Sequence, residues 1–125
     1  MIRAIGIDIA DLIRIKKVWQ KHPERFLYKH FTADEIKYCR GKVDPLESIA
    51  ARFAAKEAFQ KCWPETHGWQ DVWVQMDGVK PKLHFSDNIR KIMKEQNLYA
   101  HLSLSHDKDH AVAMVVLEEI TETPT

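Results

Sequence analysis

Two carboxylates stand in unusual company. Asp8 follows Ala4 and Gly6 on one face of an alternating segment whose other face carries Ile5, Ile7 and Ile9. Glu57 lies further on, in Ala50-Ala51-Arg52-Phe53-Ala54-Ala55-Lys56-Glu57-Ala58, where small and apolar residues surround it. An acid among alanines costs free energy unless a cation or hydrogen-bond donors meet it. Lys61, one helical turn beyond Glu57, is one partner, although such a pair contributes only about 0.2–0.5 kcal/mol on an exposed helix. A divalent metal is another. Two carboxylates with open water positions suit Mg²⁺, which takes few protein ligands and completes its shell with water and substrate phosphate oxygens. Ala4 and Gly6 allow close approach by a helix whose side carrying Ala50, Ala54 and Glu57 is equally slim, and that packing would bring Asp8 to Glu57. The residue types leave a second reading open, in which Asp8 caps a turn and Glu57 pairs with Lys61 as a structural ion pair.

Positive charge gathers around the same stretch. Arg52, Lys56 and Lys61 share it, Arg40 and Lys42 precede it, and Arg14, Lys16 and Lys17 lie nearer the start. Runs of this kind are commonly solvated faces. In Leu102-Ser103-Leu104-Ser105, the two serines fall on one face of a strand that runs into His106 at a turn. Hydroxyls, an imidazole and turn amides suit a phosphate. No acid–base relay accompanies these serines, and the turn between His106 and His110 separates them too far for a zinc pair. The four glycines, Gly6, Gly41, Gly68 and Gly78, write neither a dinucleotide-binding fingerprint nor a P-loop. Any phosphate must therefore be met by Lys, Arg, a metal or a helix end.

The elements that position these groups read clearly. Ile5, Ile7 and Ile9 mark a short strand. Asp11 caps a helix carrying Leu12, Ile15, Val18 and Trp19, which ends before Pro23. An apolar segment spans Phe26 to Phe31, and Thr32-Ala33-Asp34-Glu35 forms a capping box that opens a short helix closed near Gly41. The longest helix runs from Asp44-Pro45-Leu46-Glu47 to Trp63, with Asp44 at N-cap, Pro45 at N1, Glu47 completing a box-like pattern and Pro64 stopping the run. Apolar or small residues surround it, so burial on more than one side is expected. Strands at Val72 to Met76 and Pro81 to Phe85 join around Asp77-Gly78, Ser86 opens a helix bearing Ile89, Ile92 and Met93, and a final hairpin pairs Tyr99 to Ser105 with His110 to Leu117. This order predicts an α+β fold with a largely antiparallel sheet packed on a long central helix.

Composition bounds the rest. The 125 residues make one domain over residues 1–120, with residues 121–125 as a frayed tail. Nineteen Lys and Arg against eighteen Asp and Glu leave a formal charge of +1, which gives no global attraction to nucleic acid. The apolar stretches fall well short of a bilayer span, so no membrane partner is expected. Two cysteines, Cys39 and Cys62, with no signal-peptide layout, point to a reduced, cytoplasmic protein.

Three segments together carry a resemblance. Gly6-Ile7-Asp8-Ile9, then Arg52-Phe53-Ala54-Ala55-Lys56-Glu57-Ala58, then Ser103-Leu104-Ser105-His106-Asp107 followed by Ala111-Val112-Ala113 resemble the bacterial holo-(acyl-carrier-protein) synthases. These are the small phosphopantetheinyl transferases, and the resemblance runs in order over nearly the whole chain. It implies the 4′-phosphopantetheinyl transferase fold and transfer of the 4′-phosphopantetheine arm of coenzyme A to a serine of apo acyl carrier protein, in fatty acid biosynthesis. It further implies Mg²⁺ (or Mn²⁺) held by Asp8 and Glu57, with Lys61 at the pyrophosphate as the third catalytic residue. Arg52 and His106, helped by Ser105, take the 3′-phosphate; Lys42, Lys56 and Pro81 complete the coenzyme A contacts; and Arg14 faces the acidic helix of the carrier. A homotrimer with sites between subunits is implied as well, and it offers a reason for a helix that is apolar on several sides. Two departures stand out: Val79-Lys80-Pro81 replaces the family's Gly-Lys-Pro, and Trp63-Pro64 replaces a small, glycine-containing turn. A non-catalytic coenzyme A or carrier-binding module, and a metal-dependent nucleotide hydrolase, remain as alternatives that use the same residues.

Overall fold

Asp11 is where the chain first turns. Its carboxylate accepts from the backbone N–H groups of Ile13 and Arg14 at 2.9 and 3.1 Å, ending strand β1 (Ile2–Asp11) and opening helix α1 (Leu12–Lys21). The structure, a computed structural model, describes residues 1–121, so most of the expected tail falls outside the described residues. Pro23 starts α2 (Pro23–His30), a helix in the segment read from sequence only as apolar. The capping box forms as expected: Thr32 accepts from the Glu35 N–H and Glu35 answers to the Thr32 N–H, opening α3 (Ala33–Arg40). Helix α4 (Pro45–Cys62) has Pro45 in its first turn, but Asp44 makes no side-chain cap and Glu47 reaches His106 instead of closing a box.

A single 3₁₀ turn (Trp69–Asp71) leads into a hairpin of β2 (Val72–Asp77) and β3 (Lys80–Phe85). Gly78, at φ 63°, supplies the left-handed residue that a two-residue hairpin loop requires. Helix α5 (Asp87–Glu95) and the hairpin of β4 (Leu98–His106) and β5 (His110–Glu119) complete the fold. The strands form two antiparallel sheets, β1-β5-β4 and β2-β3, so the predicted α+β class holds.

The larger sheet turns its small-residue face inward. Gly6, Ala10, Ala111, Ala113, Val115 and Leu117 are buried against α4. A Cβ at Gly6 would fall on the Ala58 carbonyl oxygen and 2.8 Å from Cys62 Sγ, so only glycine lets β1 lie this close. That contact falls about one turn further along α4 than the Ala50–Ala54 side expected from sequence. The other helix faces meet α1, α3 and β2, with Phe59, Ala54 and Ile49 essentially inaccessible. The all-round apolar character of α4 is thus satisfied within one chain, and needs no neighbouring subunit. The outward face of the sheet does lack cover: Ile5, Ile7 and Ile9 are 62%, 58% and 62% exposed, with Met114 beside them.

Candidate active site

Gly6 docks β1 on α4 at Ala58, and this contact sets the next inward residue of the strand, Asp8, beside Glu57. Burial raises the proton affinity of Glu57, the nearby Asp8 charge raises it further, and Lys61 partly offsets both. Lys61 does not pair with Glu57 as its spacing suggested. Its Nζ donates to Asp8 Oδ1 at 3.1 Å and to the Ile7 carbonyl at 2.7 Å, spanning helix and strand. Asp8 and Glu57 line a cleft of about 590 Å³ with Arg14, whose position Asp11 fixes by capping α1. Phe53, Phe26 and His30 form its aromatic side, where burial lowers the proton affinity of His30 and its Nδ1–H donates to the Phe26 carbonyl.

The donor set fits a hard divalent cation. Burial first, and the like charge of Asp8 second, raise the proton affinity of Glu57, and a cation there would relieve that repulsion. Among the described residues no three His, Cys, Asp or Glu are placed to hold a metal ion by themselves, so a cation at Asp8 and Glu57 would complete its shell with water and phosphate oxygens.

A second, larger cleft of about 1260 Å³ opens between the start of α4, the β2–β3 hairpin and β4. Arg52, Lys42, Pro81 and His106 line it, with Lys80 and Tyr38. Arg52 is only 4% exposed, yet among the described residues no carboxylate pairs with it. Its Nη1 reaches the Ser48 carbonyl at 3.3 Å and its Nε has no acceptor. A buried, unpaired guanidinium facing a cleft is a demand for an anion. The guanidinium lies 4.3 Å from the centre of the Tyr38 ring, and Lys42 Nζ lies 4.6 Å from that same ring. His106 Nε2 contacts Glu47 Oε1 at 3.1 Å. Ser105 is exposed on the outer sheet face, its register partner Val112 in turn opposite Ile9, and does not line this cleft.

Lys56 requires a correction. It was expected among the coenzyme A contacts, but its side chain is 1% exposed and its Nζ is 2.6 Å from Glu35 Oε1. The same nitrogen donates to the Trp69 carbonyl at 3.0 Å, while Glu35 Oε2 accepts from the Val74 N–H. This ion pair ties α3, α4, the 3₁₀ turn and β2 together and has no charge left for a ligand. A lysine in a basic run looks the same from sequence whether it faces solvent or a buried acid, and its partner lies 21 positions away. Sequence reasoning also missed Tyr38, whose only signal was its spacing of four from Lys42.

Against known proteins, residues 4–115 match the family model described as the 4′-phosphopantetheinyl transferase superfamily. The chain is 48% identical over 118 residues to the holo-[acyl-carrier-protein] synthase of Thermus thermophilus, covering 94% of each. It is 46% identical over 127 residues to that of Deinococcus deserti, covering 95% of this chain and 99% of the other. Among solved structures, the holo-[acyl-carrier-protein] synthase of Neisseria meningitidis superposes with a TM-score of 0.86 at 31% identity, over 94% of this chain and 99% of that one. The Bacillus anthracis holo-(acyl-carrier-protein) synthase in complex with CoA gives 0.79 at 36% identity, over 96% and 99%.

Proposed function

The chain belongs to the 4′-phosphopantetheinyl transferase superfamily, and from that premise we propose that it is a holo-(acyl-carrier-protein) synthase, a single transferase domain over residues 1–120. It moves the 4′-phosphopantetheine arm of coenzyme A to a serine of apo acyl carrier protein and releases adenosine 3′,5′-bisphosphate. The observation that carries this reading is the Asp8–Glu57–Lys61 arrangement: two neighbouring carboxylates lining one cleft, with a lysine fixed on Asp8.

In this reading Asp8 and Glu57 hold Mg²⁺, or Mn²⁺, which supplies charge neutralisation at the pyrophosphate when bound. Lys61, 54% exposed at its side chain and anchored on β1, presents its ammonium to the same pyrophosphate. The serine oxygen attacks the phosphorus bearing the pantetheine arm, the bond to the nucleotide's 5′-phosphate oxygen breaks, and the hydroxyl proton passes to a base in the cleft. A water in the cleft or Glu57 itself takes that proton. Most of the rate gain in such a transfer comes from in-line positioning and charge stabilisation. Arg52, Lys42 and His106 take the 3′-phosphate, Pro81 borders the adenine, and Arg14 faces an acidic surface of the carrier.

The two clefts give this chain a divided site. The exposed isoleucines of β1, continuous with Met114 and the outward Ser105, form an apolar sheet face of the kind that marks an interface. A homotrimer closed on that face, with sites at the seams, brings Ser105 to the phosphate of a neighbouring copy. Cys39 and Cys62, both free and buried, suit a reducing, cytoplasmic setting; among the described residues no helix is long and apolar enough to cross a membrane. The test is intact-mass spectrometry of apo acyl carrier protein incubated with this protein, coenzyme A and Mg²⁺. The carrier is expected to gain one phosphopantetheine mass, and EDTA is expected to abolish the gain; an unchanged carrier alongside measurable coenzyme A binding would leave a binding module.

A further inference from the structure

Of the carboxylates that line the larger cleft, Glu47 meets His106 at 3.1 Å and Asp77 meets Lys82 at 2.9 Å, while Asp44 pairs with no cation among the described residues. Among the cations that line it, Arg52 and Lys42 both stand close to one aromatic ring, that of Tyr38, at 4.3 and 4.6 Å from its centre. Like charges repel, and the electron-rich face of an aromatic ring attracts a cation within about 6 Å and so holds each in place. For Arg52 the attraction is strengthened by burial, since its guanidinium has otherwise only the Ser48 carbonyl.

We propose that Tyr38 is a positioning residue that holds Arg52 and Lys42 together as a clamp for the 3′-phosphate of coenzyme A, and so sets the preference for coenzyme A over its 3′-dephospho form. The proposal rests on the reading that this cleft takes coenzyme A, and names the ring that makes its anion site specific. The ring itself makes no bond to phosphate. It keeps the two cations converged before the ligand arrives, so that binding loses less free energy to ordering long side chains. Arg52 alone, with one hydrogen bond and no carboxylate, has no other group to fix its head.

The test compares KM and kcat for coenzyme A and for 3′-dephospho-coenzyme A in the wild type, Tyr38→Phe, Tyr38→Leu and Tyr38→pentafluorophenylalanine. The fluorinated ring keeps the shape of phenylalanine and reverses the charge of its face, which separates electrostatics from packing. Tyr38→Leu and the fluorinated variant are expected to raise KM for coenzyme A roughly tenfold, with kcat and the KM for the dephospho form unchanged. Tyr38→Phe is expected to stay within about twofold of wild type, because the face remains. Equal increases in both KM values, or a preference that survives Tyr38→Leu and the fluorinated ring, would overturn the role of Tyr38. A wild type that does not distinguish the two coenzymes would instead overturn the assignment of this cleft to the 3′-phosphate, whatever Tyr38 does.

Discussion

Lys61 and Lys56 lie five residues apart on one helix and have opposite fates. Lys61 is half exposed and reaches across to Asp8, while Lys56 is sealed against Glu35. In the proposed reading the first serves the chemistry and the second stability, and their variants should divide accordingly. Lys61→Met is expected to lower transfer roughly a hundredfold, with unfolding free energy changed by less than about 1 kcal/mol, read by single-turnover transfer and urea denaturation. Glu35→Ala leaves a buried ammonium unpaired and should cost about 3–5 kcal/mol; adding Lys56→Met should recover much of that loss. The meeting of Asp8 with Glu57 was open to inference because small residues on both elements allow close approach, while the role given to the pair came from the family resemblance. The commitment of Lys56 was not, since charge runs carry no record of which member turns inward.

At the level of elements, one glycine decides where the acids meet. A side chain at Gly6 would strike the Ala58 carbonyl, a backbone atom that cannot swing aside. Gly6→Val should therefore push β1 off α4, lowering the melting temperature by several degrees and reducing transfer even in the folded fraction. The β4–β5 turn carries a pH-dependent lock. Asp107 accepts from the N–H groups of Asp109 and His110 at 2.8 and 2.7 Å, bonds that, Asp109 first, hold its carboxyl below the usual range. Since the folded form binds its proton more weakly, the lock is complete above the ordinary carboxylate range and is lost as pH falls through the folded value. Amide exchange at Asp109 and His110 should accelerate, beyond its intrinsic pH dependence, only once pH falls below the ordinary carboxylate range; an unchanged protection factor would remove the lock. Capping residues, Pro45 and the Asp77-Gly78 turn made most element boundaries readable, because each acts through its immediate neighbours. Helix α2 was read only as an apolar segment, Asp44 makes no cap, and Glu47 closes no box because its carboxylate meets His106, a partner 59 positions away.

The whole molecule presents an apolar sheet face and two separated clefts. The alternation of isoleucine with small residues was plain in the sequence, and the small face packs on α4 as Ala4 and Gly6 suggested, which leaves the isoleucines facing out. Ile7→Glu on that face should yield a folded monomer by sedimentation that has lost at least about tenfold in transfer, whereas a fully active monomer would show that one chain holds a complete site. The division of labour between the clefts is the centre of the account, and single-turnover transfer to apo acyl carrier protein by Asp8→Asn and Glu57→Gln, with adenosine 3′,5′-bisphosphate affinity measured in parallel, tests it most directly. Both variants are predicted to fold, to bind the bisphosphate within a few-fold of wild type and to transfer at least about a hundredfold more slowly. Transfer at the wild-type rate by either folded variant would contradict the assignment of the acid pair as the reaction centre.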